Sequence, residues 1–378
     1  MSNNKLFKWS RNLLHKTYQG REGQVKDHLM TTLAMMVTGL LLAPHVQLFA
    51  IAMCVPWDIK LQSLVRRFER FVADGRVDVQ VYFEPFVRAM QASLGNETAY
   101  LIIDCTKAGS SCRTLFIGLA YHGTVLPLIW KTIKGKKGHV KGEFQRSLLE
   151  KLYPKFSYHR HVIVLGDAEF SNEAVISWLL SHHWDFVLRF QSNYRLQTEP
   201  GQDCLSALEI YQEHQIQAGQ VAHWERVAFT QAHQIPNLTF TVHWEADADE
   251  PLCLISSLPA CQLPHLVYDM RFWVETLFGN QKSRGYQLAR SQMNTPEHID
   301  RLFLALAIAT YIALGLGTHL IVIKQTDQVD RADRRDLSLF QLGWRWLYRL
   351  LALDRLHDIK IVFRWNFKLP APGFQPAH

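Results

Sequence analysis

Between Tyr268 and Lys282 four reactive side chains are spaced as Y-x2-R-x3-E-x6-K: Tyr268, Arg271, Glu275 and Lys282. On a helix turning about 100° per residue, the last three fall roughly 60°, 20° and 40° from the tyrosine, so all four share one stripe. The segment also carries Phe272, Trp273, Val274, Leu277 and Phe278. Such a stripe is expected to be buried, and buried charges must be paired or must bind ions. A carboxylate flanked by an arginine, a lysine and a phenol suits a metal ion held against a phosphodiester. Two more acids share a context, since Asp104 and Asp167 each close a run of β-branched and aliphatic residues. At the carboxyl ends of adjacent strands they can converge, and a helix crossing that edge can bring Glu275 beside them. Three hard oxygen ligands left partly open suit Mg2+ or Mn2+. Two such ions, about 3.5–4 Å apart, can activate an attacking hydroxyl and stabilise a leaving oxygen at phosphorus.

The elements that must position these groups are legible in outline. The first ninety-odd residues read as helical: Asp27 is placed to cap a helix through 29–43, Pro44 stops it, and 46–55 is a short apolar helix. Asp58 is placed to cap a helix over 59–73, whose apolar face is Leu61, Leu64, Val65, Phe68 and Val72. Arg66, Arg67 and Arg70 decorate that helix, the shape of a helix-turn-helix reader of DNA. From Ala99 the period changes. Strands at 99–105, 112–121 and 125–133, a helix at 142–152, a strand at 161–167, a helix at 172–183 and a strand at 185–190 give β-β-β-α-β-α-β. That order implies a mixed sheet with helices on its faces. An irregular stretch, 191–266, reads as an all-β insertion. Residues 302–322 are apolar enough to span a bilayer, but with no second convincing span they read as a buried core helix. Residues 340–353 are amphipathic, with Trp344 and Trp346 assigned to packing.

The 378-residue chain is basic, with net charge +7 and pI near 9.0. The positive surplus sits at the two ends and leaves the middle slightly acidic, as polyanion grips around a metal site require. Lys134, Lys136, Lys137 and Lys141 punctuate a glycine-rich turn between a strand and a helix, which suits phosphate contact. Six cysteines sit singly and no leader precedes them, so reduced thiols and a cytoplasmic location are expected. None of the eighteen histidines pairs with a cysteine at zinc spacing.

On these residues the chain resembles the DDE transposases of bacterial insertion sequences, in the subgroup with the Y-x2-R-x3-E-x6-K signature. Tyr268, Arg271, Glu275 and Lys282 match it at every spacing. Asp104 in Leu-Ile-Ile-Asp-Cys-Thr and Asp167 in Leu-Gly-Asp-Ala-Glu-Phe match the contexts of the first two acids. The resemblance implies an α/β, ribonuclease H-like catalytic domain over 96–322 with its β-rich insertion at 191–266. A helical DNA-binding domain would occupy 1–95 and a helical, basic tail 323–378. It implies Asp104, Asp167 and Glu275 as catalytic metal ligands for Mg2+ or Mn2+, as two ions. Tyr268, Arg271 and Lys282 would hold double-stranded DNA near the cleaved phosphate. The activity implied is hydrolysis at element ends, then attack of the freed 3′-hydroxyl on target DNA, by a homodimer in a bacterial cytoplasm, at the nucleoid when bound and without membrane. Some relatives stack a flipped end base on a tryptophan of the insertion, for which Trp224 and Trp244 are the candidates. Relatives often carry Asp-Arg at the second acid, whereas this chain has Asp167-Ala168-Glu169; Glu169 is not assigned as a ligand. The alternative is a DNA-binding regulator derived from a transposase and no longer catalytic.

Overall fold

A computed structural model describes residues 2–43, 45–135, 140–158, 161–230, 232–282, 291–331, 334–359 and 365–368. Five helices come first: α1 (Ser2–Thr17), α2 (Asp27–Leu42), α3 (Leu48–Cys54), α4 (Leu61–Ala73) and α5 (Val79–Leu94). Helix α2 has no polar face and is buried from Leu29 through Leu41, as a helix apolar on all sides must be. The expected caps differ. Lys26 and Lys60 occupy the N-cap positions of α2 and α4, without a side-chain cap. Asp27 instead lies in the first turn, where a carboxylate favours the positive end of the helix dipole. Asp78 is a true cap: its carboxylate accepts from the backbone N–H groups of Gln80 and Val81, at 2.8 and 3.2 Å. Helix α4 buries Leu64, Val65, Phe68, Phe71 and Val72.

The central elements follow the expected order: β1 (Ala99–Ala108), β2 (Cys112–Tyr121), β3 (Thr124–Lys134), α6 (Gly142–Phe156), β4 (Val162–Gly166), α7 (Glu173–Ser181) and β5 (Asp185–Arg189). Strands β1 to β3 form an antiparallel meander, while β4 lies parallel to β1 and β5 parallel to β4. Their spatial order is β3-β2-β1-β4-β5. A meander followed by two helical crossovers, with helices packed on a mixed sheet, is a ribonuclease H-like arrangement.

The insertion contains β6 (Arg195–Gln197), β7 (Leu205–Ser206), α8 (Ala207–Glu213), β8 (Val221–Phe229), β9 (Ile235–His243) and β10 (Leu252–Ser256). It is not all-β, because Ser206 and Glu209 form a reciprocal capping box that starts α8. Its strands also extend the main sheet: β10 pairs antiparallel with β5, and the order continues β10-β9-β8-β6-β7.

The chain then runs through α9 (Pro264–Tyr268), a 3₁₀ turn (Asp269–Phe272), α10 (Trp273–Lys282), α11 (Pro296–Val322) and α12 (Leu339–Ala352). Helix α11 is long and apolar enough to cross a membrane, yet 78% of its most apolar window is buried inside the fold. It packs against α2, α4, α5, β3 and α12. Glycines let α11 and α12 approach: a Cβ on Gly343 would overlap the Ala313 carbonyl oxygen, and one on Gly317 that of Leu339. Asp300 is buried on α11, where its carboxylate accepts from the Thr132 N–H at 2.8 Å and pairs with Lys131 Nζ at 3.0 Å. Burial raises its pKa despite those partners. One contiguous apolar core runs from Leu6 to Trp365, so the first helices share it with α11 and α12.

Candidate active site

Strand register brings the first two acids together. The parallel pairing of β1 with β4 ends at Ile103 opposite Gly166, so one further step sets Asp104 beside Asp167 on the same face of the sheet. Asp104 does not end its strand: β1 runs on to Ala108 along β2, with Asp104 opposite Phe116. What ends there is the parallel pairing. Each acid spends one oxygen on the backbone, Asp104 Oδ1 on the Cys105 N–H at 2.6 Å and Asp167 Oδ1 on the Glu169 N–H at 3.0 Å. The Oδ2 atoms face a third element.

That element is the segment 264–282, and it is not one helix. Tyr268 ends α9, Arg271 lies in the 3₁₀ turn, and Glu275 is in the first turn of α10. Side chains three apart eclipse in a 3₁₀ turn, which aligns Arg271 with Tyr268 along the segment. The segment crosses the sheet, with α9 against β5, β9 and β10, the 3₁₀ turn against β4, and α10 against β1 and β3. It therefore passes both strand acids.

One guanidinium joins all three carboxylates. Arg271 Nη2 lies 3.2 Å from Asp104 Oδ2 and 3.3 Å from Asp167 Oδ2, and Nη1 lies 3.6 Å from Glu275 Oε1. Exposure increases across the site, from 12% for the Asp104 side chain to 35% for Asp167 and 66% for Glu275. The cluster is closed on the sheet side and open beside Glu275. Among the described residues no three acid, histidine or cysteine side chains yet surround one ion-sized point; a guanidinium lies where these acids converge. Three hard carboxylate oxygens are the donor type that suits a hard divalent ion, and the group they now share is a cation.

Tyr268 is buried beneath this cluster at 1% exposure, not on an open surface. Burial pushes its phenol far up, Arg271 pulls it back, and the charges of Asp167, Arg189 and Asp104 also reach it. It is a neutral hydroxyl at physiological pH. Lys282 closes α10, but its side chain lies outside the described residues.

Glu169 is fully engaged elsewhere. It pairs with Arg113 Nη2 at 2.9 Å and accepts the Val140 N–H at 2.5 Å, with a side chain only 10% exposed. Buried Gln145 donates to the carbonyls of Val140 and Glu169. This net ties the segment after Asp167 to the start of α6 and so holds the second acid in place. Neither Arg113 nor Gln145 was identifiable beforehand, since neither belongs to a motif. Arg189, exposed at the carboxyl end of β5, is another charge near the site whose only sequence signal is its place after an apolar run.

Of the basic loop, Lys134 and Lys141 are exposed, while Lys136 and Lys137 lie outside the described residues. Lys141 lines a cleft of about 570 Å³ with Ala168, Glu169, Ser171 and Tyr194, beside the second acid. On α4, Arg66 and Arg70 are exposed and line a cleft of about 1050 Å³ with Phe49 and His298. Arg67 turns inward, donating to Thr32 Oγ1 at 2.9 Å and lying over the Trp57 ring at 5.8 Å. Its task is to pack α4 on α2. In the insertion, Trp224 stacks on Phe240 (centroids 5.0 Å apart, 20° between planes), and Trp244 donates to the Ala248 carbonyl at 2.9 Å. Trp344 donates to the Leu41 carbonyl and Trp346 stacks on His319, so both serve packing.

The sequence pattern of the family described as "Transposase DDE domain" matches residues 88–312. Among solved structures, the chain is similar to a piggyBac transposase synaptic complex with hairpin DNA, at 13% identity and a TM-score of 0.44, over 99% of this chain and 84% of that one. It is also similar to human ENDOV, at 10% identity and a TM-score of 0.24, over 57% of this chain and 86% of the other. Among curated proteins no match is found.

Proposed function

The chain belongs to the transposase DDE domain family, and from that premise we propose that it cuts double-stranded DNA at the ends of its own element and joins the freed 3′-hydroxyls to target DNA. The observation that carries this reading is the convergence of Asp104, Asp167 and Glu275, from three distant segments, on one cationic group. These carboxylates would hold Mg2+ or Mn2+, as a pair of ions. Once bound, the ions supply Lewis acidity at phosphorus and lower the pKa of the attacking water.

The chain's own residues do the rest. The sheet fixes Asp104 and Asp167, while Glu275, the most exposed acid, completes the set from α10. Tyr268 supports Arg271 from below. Arg271 and Lys282 supply charge to the DNA backbone near the cleaved phosphate, and Arg189 stands on the same edge of the sheet. Lys141 grips phosphate beside the second acid, with Lys134, Lys136 and Lys137 contributing from the same basic loop, and Arg66 and Arg70 grip from α4. One copy at each element end makes a homodimer in the DNA complex.

The test is incubation of the purified protein with DNA carrying the element's ends and Mg2+ or Mn2+. Nicking at the 3′ ends, lost in Glu275→Gln while DNA binding persists, is the expected result. Equal cutting by the variant would falsify the role of Glu275. End binding with no cutting by the unaltered chain would favour a lapsed, DNA-binding regulator.

A further inference from the structure

We propose that Arg271 is a resident counter-cation that assembles the three carboxylates before a divalent ion arrives, and that ion loading requires it to withdraw. This rests on the reading of Asp104, Asp167 and Glu275 as metal ligands, and adds a competition for their oxygens within the same chain.

Geometry distinguishes this arrangement from an ordinary ion pair. An arginine paired with one carboxylate makes two parallel bonds of about 2.7–2.9 Å. Arg271 instead divides two nitrogens among three acids, at 3.2, 3.3 and 3.6 Å. Every contact is longer than that, so no one acid holds the guanidinium in a tight pair. One positive charge faces three negative ones, so the cluster keeps an excess of two negative charges. With the guanidinium withdrawn the three carboxylates carry three negative charges, which a divalent ion offsets more fully than the single charge of the arginine does.

Arg271 is also poorly settled. Its side chain is 13% exposed, yet among the described residues its buried Nε has no hydrogen-bond partner. Burying part of a guanidinium unsatisfied is unfavourable, a cost that the carboxylate contacts and the ring of Phe272 offset in the inward position. The residue sits on the 3₁₀ turn between two helices, the kind of mid-helix break that often marks a hinge. The guanidinium also lies 5.7 Å from the ring centre of Phe272, which is 46% exposed. That ring already faces the guanidinium in the inward position, and because it is half exposed the contact can follow the side chain toward solvent. Arg271 acts here as a positioning residue: it holds oxygens that would otherwise repel one another, then yields them.

The experiment measures Mn2+ binding to the full chain, without DNA, by calorimetry and by the electron-spin signal of free Mn2+. Arg271→Gln is expected to bind Mn2+ on the order of tenfold more tightly than the unaltered chain, a coupling of ordinary size for linked sites. Mn2+ should also raise its melting temperature more. Unchanged or weaker binding by a folded Arg271→Gln would overturn the proposal. Glu275→Gln separates the two readings. If it leaves Mn2+ affinity unaltered in both backgrounds, the metal-ligand reading fails. If it weakens binding in both while Arg271→Gln tightens nothing, only the competition fails. Should the Arg271 variant not fold, hydrogen exchange in the unaltered chain decides. Added Mn2+ should speed exchange across Asp269–Glu275 as the arginine leaves, and slowed or unaltered exchange there would refute displacement.

Discussion

Glu169 stands two residues from Asp167, and a reader of the sequence could take it for the second metal ligand. The structure gives it a different task, and the two readings diverge on substitution. Its carboxylate is 10% exposed, pairs with Arg113 (16% exposed) and takes the Val140 N–H. Truncation to alanine leaves a buried guanidinium and a backbone donor unpaired. Breaking a buried pair from one side costs about 3–5 kcal/mol; the residual exposure of both side chains places this case near the lower end, at about 3 kcal/mol. For a chain of this length the unfolding entropy is roughly 0.8 kcal/mol per kelvin, so Glu169→Ala should melt about 4 °C lower. Glu169→Gln keeps an acceptor for Val140 and should lose about half as much. Arg113→Met should resemble Glu169→Ala, and the double variant should be less than additive by about 1–3 kcal/mol. The assay is thermal unfolding followed by circular dichroism, with DNA nicking measured on the same samples below the transition. Glu169→Gln should still nick DNA. A variant that melts like the unaltered chain but no longer cuts would place Glu169 in the chemistry and refute the clamp.

Three further outcomes follow from the structure. Gly343→Ala should destabilise the protein by about 1–3 kcal/mol, because its new methyl meets the Ala313 carbonyl; a urea midpoint equal to that of the unaltered chain would show that α11 and α12 can separate at little cost. His122, His223 and His265 have pKa values lowered first by burial, and His265 further by its neighbours His243 and His223. The unfolded chain therefore binds protons that the folded one refuses once the pH falls below about 6.5. Stability should decline from there down through the lower folded values and stay flat above, as urea titrations from pH 7.5 to 5.5 can show; His265→Gln should reduce the slope, and greater stability on acidification would contradict the burial argument. Alanine at Lys134, Lys136, Lys137 and Lys141 should flatten the dependence of DNA affinity on salt by up to about 0.9 for each phosphate that is no longer neutralised, and an unaltered slope in a binding titration would remove the loop from the interface.

Much of the central fold was legible because its signals are local. Apolar runs bounded by glycine and charge mark β1 to β5, and the two helical segments between them make β4 and β5 parallel neighbours almost inevitably. The course of the insertion was less legible. That β10 pairs with β5 and extends the same sheet is a long-range choice, which no local pattern around Leu252 records. Helix α8 could have been found, since Ser206-x-x-Glu209 is a capping signal, but it sits in a stretch with little periodicity. The aspartates near the starts of α2 and α4, Asp27 and Asp58, illustrate the reverse: each has the right residue type, and in neither case does the side chain cap the helix.

The site itself was legible as chemistry and only partly as geometry. Spacings of three, four and seven residues placed Tyr268, Arg271, Glu275 and Lys282 on one helical stripe, but a 3₁₀ turn breaks that helix between the tyrosine and the glutamate. The contact that survives is the one four residues apart, Arg271 with Glu275, because that pair straddles the turn and the first residues of α10. The position of the two aspartates, by contrast, follows from a parallel register that ends at Ile103 and Gly166. A slip of one residue in that pairing would turn one acid to the opposite face, and Arg271 could then reach only one of them. The motif names the groups, but the register of two adjacent strands is what lets a single cation meet both.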